Sequence, residues 1–182
     1  RKIGQPPGTL AFSGEKRIDE AFYRSIEYSN TEINETKHQQ SFQHVPQEKW
    51  TQWYDIVGLH DTNLVNQVGS KFGLHPLVLE DILSTSQRPK IEYHDNYVYI
   101  VLRMILIDSE SGQPSSEQVS LVLGKGWLLT FQEREGDVFE FIRDRLRHGK
   151  GRVRKMGIDY LAYSLMDAII DQYFLVLENF SE

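Results

Sequence analysis

Apolar and polar residues alternate, or apolar residues run together, in several stretches of this chain, and we interpret each of them as a β-strand. The stretches are Thr9–Ser13, Ala21–Tyr28, Trp50–Val57, Ile91–Tyr93, Tyr97–Ile107, Gln118–Leu123 and Trp127–Gln132. Tyr97 to Leu102 is almost entirely apolar, which favours a central strand covered on both faces. The last two stretches flank Gly124-Lys125-Gly126, a sequence that predicts a hairpin turn.

Apolar residues spaced three and four apart predict two consecutive helices in the first half. Asp61 caps the first helix, and Leu64, Val65, Val68 and Phe72 lie on its apolar face. Gly73 ends that helix and Pro76 starts the next, because glycine suits the left-handed position after a helix and proline suits the first helical position. The second helix is expected to bury Leu79, Ile82 and Leu83.

Three further helices are predicted. Thr31 to Phe42 is polar, with Thr31 as a possible N-cap, and we expect a poorly buried helix there. Gly136-Asp137 opens a helix with Phe139, Ile142 and Leu146 inward, and Ile158 to Phe180 forms the longest helix.

The order of these elements predicts an α/β fold. Strands and helices alternate in the first half, and Tyr97 to Gln132 has the pattern of an antiparallel meander. We therefore expect an α/β/α sandwich with a mixed parallel/antiparallel sheet, ending in the start of a long helical segment. Residues 1–155 are expected to form the α/β/α domain, and residues 156–182 a long helix with an acidic stripe.

Composition narrows the possible functions. The net charge of -6 disfavours nucleic acid as a partner, and the lack of cysteine excludes disulfides and thiolate metal sites. No apolar run approaches the about 20 residues that cross a bilayer. The chain starts at Arg1 and ends at Glu182 inside a helical pattern, so we expect a piece of a longer protein.

The sequence does not indicate an enzyme. It contains no Gly-x-Ser-x-Gly, P-loop or His-Glu-x-x-His motif. His60 and His75 lie outside the i, i+4 spacing of a helical zinc site, and His75 occupies a helix N-cap position. A basic cluster is compatible either with phosphate or anionic membrane binding or with a solvated link between helices that offsets nearby acids. The cluster consists of Arg145, Arg147, Lys150, Arg152, Arg154 and Lys155.

The candidate chemistry lies in two groups of carboxylates. Glu80 and Asp81 are neighbours on the second helix, and Asp167, Asp171 and Glu178 fall within about 40° of one another on the longest helix. Both groups are compatible with solvated faces. Oxygen ligands without Cys or paired His indicate a hard cation such as Mg2+ rather than zinc.

Several long motifs resemble the cytoplasmic domain of the CorA family of magnesium channels. HPLVLEDIL is followed by QRPKIEYHDNYVYIVLRM, and PPGTL, EQVSLVL, FQE, GDVF and DYLAYSLMDAIIDQYFLVLE occur in the family's order. The resemblance implies a homopentameric Mg2+ channel whose cytoplasmic part is an α/β/α sandwich. Each family subunit continues through a stalk helix into two membrane helices, which this sequence lacks.

The resemblance also implies a regulatory role. In the family, Mg2+ bound between neighbouring cytoplasmic domains involves the positions of Glu80, Asp81 and Asp167, and the partner of the Asp81 position lies on the stalk beyond Glu182. We add Asp171 to this set of candidate ligands. The expected function is Mg2+ sensing on the cytoplasmic side of the inner membrane, with Co2+ or Ni2+ as other possible ions. The alternatives are a zinc-transporting relative, with Zn2+ as the ion, and a free-standing soluble domain.

Overall fold

The structure is a computed structural model that describes residues 9–108 and 112–179. Its strands are β1 Phe22–Tyr28, β2 Ile33–His38, β3 Thr51–Val57, β4 Lys90–Tyr93, β5 Tyr97–Ile107, β6 Pro114–Gly124 and β7 Trp127–Gln132. Its helices are α1 Thr62–Phe72, α2 Pro76–Leu83, α3 Glu140–His148 and α4 Ile158–Asn179.

In this part of the chain the strands form one seven-stranded sheet in the order β2-β1-β3-β7-β6-β5-β4. The β3–β7 pair is parallel, and the other neighbouring pairs are antiparallel. This confirms the predicted mixed sheet and the meander from β5 to β7.

The sheet carries a separate apolar core on each face. Successive side chains of a strand point to opposite faces, so Tyr54 packs with α1 and α2, whereas Trp53 packs with α3 and α4. The predicted α/β/α sandwich is therefore confirmed. The three α2 residues that were expected to be buried, Leu79, Ile82 and Leu83, are all buried.

The helix predicted for Thr31 to Phe42 is wrong. The Ser29 side chain accepts hydrogen bonds from the backbone N–H groups of Thr31 and Glu32, at 3.3 and 3.1 Å, and forms a tight turn. The chain then returns beside β1 as the edge strand β2. Ser, Thr and Asn make similar local hydrogen bonds in turns and helix caps, so the sequence pattern did not separate the two.

The other differences are smaller. The strand predicted for Thr9 to Ser13 is wrong, because only Ser13 makes a single bridge, to Ser84. β6 starts at Pro114 instead of Gln118, and α3 starts at Glu140 instead of Gly136. Residues 1–8 and 109–111 and the predicted end of the longest helix (180–182) lie outside the described residues.

A buried ionic cluster lies on the α3 side of the β3–β7 junction. Arg143 of α3 donates hydrogen bonds to Asp55 at 2.9 Å and to Asp137 at 2.5 Å. Asp55 is 0% exposed and also accepts hydrogen bonds from Thr130 at 2.8 Å and Gln132 at 2.7 Å. The cluster thus joins two strands, a helix and the loop before it.

We expect Arg143→Met to lower the free energy of unfolding by about 3 to 5 kcal/mol, because it leaves the buried Asp55 and Asp137 without their closest cation, and Arg24 reaches Asp55 only at 3.5 Å. Urea denaturation measures the loss. Lys37→Met is the matched control: its 2.7 Å ion pair with Glu135 is about half exposed, and its loss should cost about 1 kcal/mol or less. Equal losses in the two variants would contradict the structural role given to Arg143.

Candidate divalent-cation site

Local sequence fixes where α2 begins. His75 is its N-cap, as predicted, and its Nδ1 accepts a hydrogen bond from the Leu77 N–H at 3.2 Å. Pro76 occupies the first turn, and Gly73 before it has the left-handed φ of 65°. This start turns the apolar face of α2 to the sheet and leaves Glu80 and Asp81 half-buried at its margin.

The Asp81 carboxylate is held by a lysine of the same chain. Lys90 Nζ lies 2.5 Å from Asp81 Oδ2 and 2.6 Å from Glu92 Oε1. Burial alone would lower the pKa of Lys90, but the hydrogen bonds to the two carboxylates outweigh burial and raise that pKa. The hydrogen bond from Lys90 lowers the pKa of Glu92. The chain therefore already provides one positive charge at this position.

A buried glutamine fixes the end of α2 on the sheet. Gln118 of β6 is 0% exposed. Its side-chain amide donates to the Asp81 carbonyl at 3.2 Å and accepts from the Gln87 N–H at 3.0 Å. Asp81 is thus positioned through its backbone as well as through Lys90.

The second pair of candidate ligands lies on the outer face of α4. Asp167 and Asp171 are exposed, one helical turn apart, and within the described part of the chain neither forms an ion pair. The opposite face of α4 packs on the sheet. The outer face also carries exposed apolar side chains, namely Tyr163, Ile170, Phe174 and Leu177.

The structure does not bring the four candidate ligands together within one chain. Glu80 and Asp81 belong to the α2 side of the sheet, whereas Asp167 and Asp171 belong to the α4 side. Within residues 9–108 and 112–179, no three His, Asp or Glu side chains are close enough to hold a metal ion. Carboxylate oxygens do suit Mg2+, which keeps much of its water shell and needs only one or two protein ligands. The chemistry of each pair thus fits a hydrated hard cation, although neither pair closes a site.

Two arginines of the basic cluster form hydrogen bonds and ion pairs with other residues of the same chain. Arg147 binds Glu35 with two hydrogen bonds, at 2.7 and 2.8 Å, and also binds Glu140 and Asp144. Arg154 donates to the carbonyls of Leu146 and Arg147. These contacts favour the interpretation of the cluster as a link that offsets nearby acids.

Comparison with known proteins identifies the family. The sequence signature of the family described as CorA-like Mg2+ transporter protein matches residues 48–182. The chain belongs to the CorA family. It is 45% identical over 183 residues to the cobalt/magnesium transport protein CorA of Thermotoga maritima, a match that covers 100% of this chain and 52% of that relative.

Solved structures support the fold. The soluble domain of CorA from Methanocaldococcus jannaschii superposes with a TM-score of 0.66 and 15% identity, over 86% of this chain and 60% of that one. The full-length CmaX protein superposes with a TM-score of 0.71 and 12% identity, over 91% of this chain and 50% of that one. The chain spans about half the length of the Thermotoga relative. Among the described residues, no helix is both long and apolar enough to cross a membrane.

The sequence pattern does not identify Lys90 as a partner of Asp81. Its spacing to Glu92 contained a usable signal, since residues i and i+2 of a strand share a face. The contact with Asp81 was not predictable, because it depends on how the 84–89 turn folds β4 back beside α2.

A buried glutamate, Glu117, is also not indicated by any local sequence pattern. Glu117 is 1% exposed, and its carboxylate accepts hydrogen bonds from the N–H groups of Glu133 at 2.7 Å and Arg134 at 3.2 Å. These bonds extend the contact between β6 and β7 beyond the last backbone pair, Ser120 with Phe131. Burial raises the pKa of Glu117 from 4.5 to about 7, despite these donors.

The raised pKa of Glu117 predicts a pH dependence of stability. Folding favours the protonated form, so the contribution of Glu117 is fully present below pH 4.5 and is lost as the pH rises through about 7. Glu117→Gln removes this loss. The stability of the variant relative to the parent should therefore rise by on the order of 1 to 3 kcal/mol between pH 4.5 and 8. Urea denaturation across this range measures it, with the exposed Glu135→Gln as control, and a flat difference would contradict the prediction.

Proposed function

We propose that this chain is the Mg2+-sensing cytoplasmic regulatory domain of a CorA-type divalent cation channel, in which Mg2+ bound between subunits favours the closed state. The observation that carries the proposal is the separation of the candidate ligands. Glu80 and Asp81 lie in the last turn of α2 on one side of the sheet, and Asp167 and Asp171 are exposed on α4 on the other side. A face of one copy that meets the opposite face of the next copy would complete a site that a single chain leaves open.

The exposed face of α4 supports an interface between copies. It combines acids with large apolar side chains such as Ile170 and Phe174, which are 46% and 61% exposed. Exposed apolar side chains grouped on one face are typical of a surface that contacts another protein. In this proposal residues 156–182 lead towards the stalk and membrane helices, and the domain lies on the cytoplasmic side of the inner membrane.

The charges provide the switch. Carboxylates of neighbouring copies about 4 Å apart repel by roughly 1 kcal/mol in water and about 4 kcal/mol at a protein surface. A bound Mg2+ supplies two positive charges between them. A site filled to ten times its dissociation constant contributes about 1.4 kcal/mol, whereas reversing a 99:1 population takes about 5.5 kcal/mol. Several equivalent interfaces in a ring reach that range together.

We expect the isolated chain to be monomeric or weakly associated at low Mg2+ and to associate at millimolar Mg2+. Acidic faces repel one another until a divalent cation lies between them. Sedimentation velocity across a MgCl2 series tests this expectation. A tight pentamer that is unchanged at zero Mg2+ would contradict it.

We also expect Asp81→Ala combined with Asp167→Ala to weaken Mg2+-dependent protection from protease in the full-length protein without abolishing transport. Asp81→Lys should retain the protected form at low Mg2+, because it supplies a fixed positive charge. The control, Asp19→Ala with Asp144→Ala, removes the same charge from two exposed positions elsewhere in the chain.

If the Asp81/Asp167 double variant keeps the protection of the parent, these acids are ordinary surface charges and the sensing proposal is wrong. Repeating the protease measurement with CoCl2, NiCl2 or ZnCl2 in place of MgCl2 tests which ion the domain binds. Protection by Zn2+ at much lower concentration than Mg2+ would favour the zinc-transporting alternative.

A further inference from the structure

The ammonium group of Lys90 lies where α2 and the edge strand β4 meet. Pro89 precedes it, and Lys90 is the first residue of β4. Asp81 approaches Nζ from the last turn of α2 at 2.5 Å, and Glu92 approaches it from the same strand at 2.6 Å. One ammonium is therefore shared by two carboxylates from different elements.

The shared ammonium is sheltered compared with an ordinary surface ion pair. The side chains of Lys90 and Asp81 are 28% and 29% exposed, whereas those of the Lys37–Glu135 pair are 47% and 52% exposed. The Lys90 ammonium also lies 5.5 Å from the centroid of the buried Tyr99 ring, within the range of a cation–π contact. Its position is thus set by three partners.

We propose that Lys90 is an internal counter-ion that competes with the divalent cation for Asp81 and so sets the cation affinity of that position. The inference rests on the proposed function, in which Asp81 binds Mg2+. The ammonium occupies Asp81 Oδ2 directly. A hydrated cation at that oxygen meets a positive charge a few ångströms away, and like charges at this distance repel strongly.

Glu92 makes the exchange possible without releasing the lysine to solvent. When Asp81 turns to a cation, Lys90 keeps its 2.6 Å contact with Glu92. The ammonium then remains paired, and its movement is small. Lys90 is therefore a positioning residue for Asp81 and not itself a ligand.

A purely structural role for Lys90 predicts something different. α2 has no basic residue in its last turn, and a cation near the C-terminus of a helix stabilises it. If this were the whole role, removing the charge would lower stability and leave cation affinity unchanged. A binding measurement therefore separates the two roles.

The experiment is isothermal titration calorimetry with MgCl2 on the parent chain and its variants, with thermal unfolding as a check of folding. Lys90→Met should bind Mg2+ on the order of tenfold more tightly, because the competing charge is gone. Lys90→Gln provides a second neutral variant if the Met variant folds poorly. Lys90→Arg, which keeps the charge, and Lys37→Met, which removes an exposed lysine elsewhere, should bind within about twofold of the parent.

Asp81→Asn distinguishes the possible failures. If Asp81→Asn weakens binding but the neutral Lys90 variants bind like the parent, the counter-ion inference is wrong and the proposed function stands. If Asp81→Asn binds as tightly as the parent, the proposed role of Asp81 fails and the inference fails with it. Absence of Mg2+ binding in both the parent and the neutral Lys90 variants would overturn the inference as well.

Discussion

The parallel pairing of β3 with β7 holds the fold together. It joins a three-stranded antiparallel unit, β2-β1-β3, to a four-stranded one, β7-β6-β5-β4. Side chains reinforce the junction: Trp53 donates to Thr130 at 2.9 Å, and Thr130 donates to the buried Asp55 at 2.8 Å. Arg143 then ties the junction to α3. The desolvation cost of this cluster is offset only while every charge keeps its partner, so the two halves of the sheet and α3 depend on one another.

A sheet joined in this way and covered on both faces restricts where chemistry can occur. The side chains of its central strands are buried in the two cores. The central polar residues, such as Asp55, are buried too and form hydrogen bonds at the β3–β7 junction. The carboxylates proposed as cation ligands lie at the margin of α2 and on the outer face of α4. Because the sheet and its two cores separate these surfaces, any site that uses both has to involve more than one copy of the chain.

Periodicity predicted most of the fold because each successful element has an apolar face that the sheet buries. β5, with its nearly continuous apolar run, was predicted with the correct bounds. β2 failed because its polar residues carry no such signal: pairing with β1 and the Glu35–Arg147 ion pair define it, and the two residues of that pair are 112 positions apart. The candidate acids came from motifs, but their separation and the Lys90 contact depend on tertiary packing, which no local pattern contains.

Two ion pairs of this chain, Arg143–Asp55 and Lys90–Asp81, differ in how much it costs to separate their charges. Arg143 and Asp55 are 3% and 1% exposed, so separating them leaves a charge in a medium that cannot solvate it. Lys90 and Asp81 are partly solvated, so separating them costs less, as the proposed exchange of the ammonium for a cation requires. A buried pair is thus suited to holding elements together, and a sheltered surface pair to responding to ion concentration. That difference in exposure, rather than in residue type, favours the margin of α2 over the cluster beneath α3 as the place for the proposed sensing.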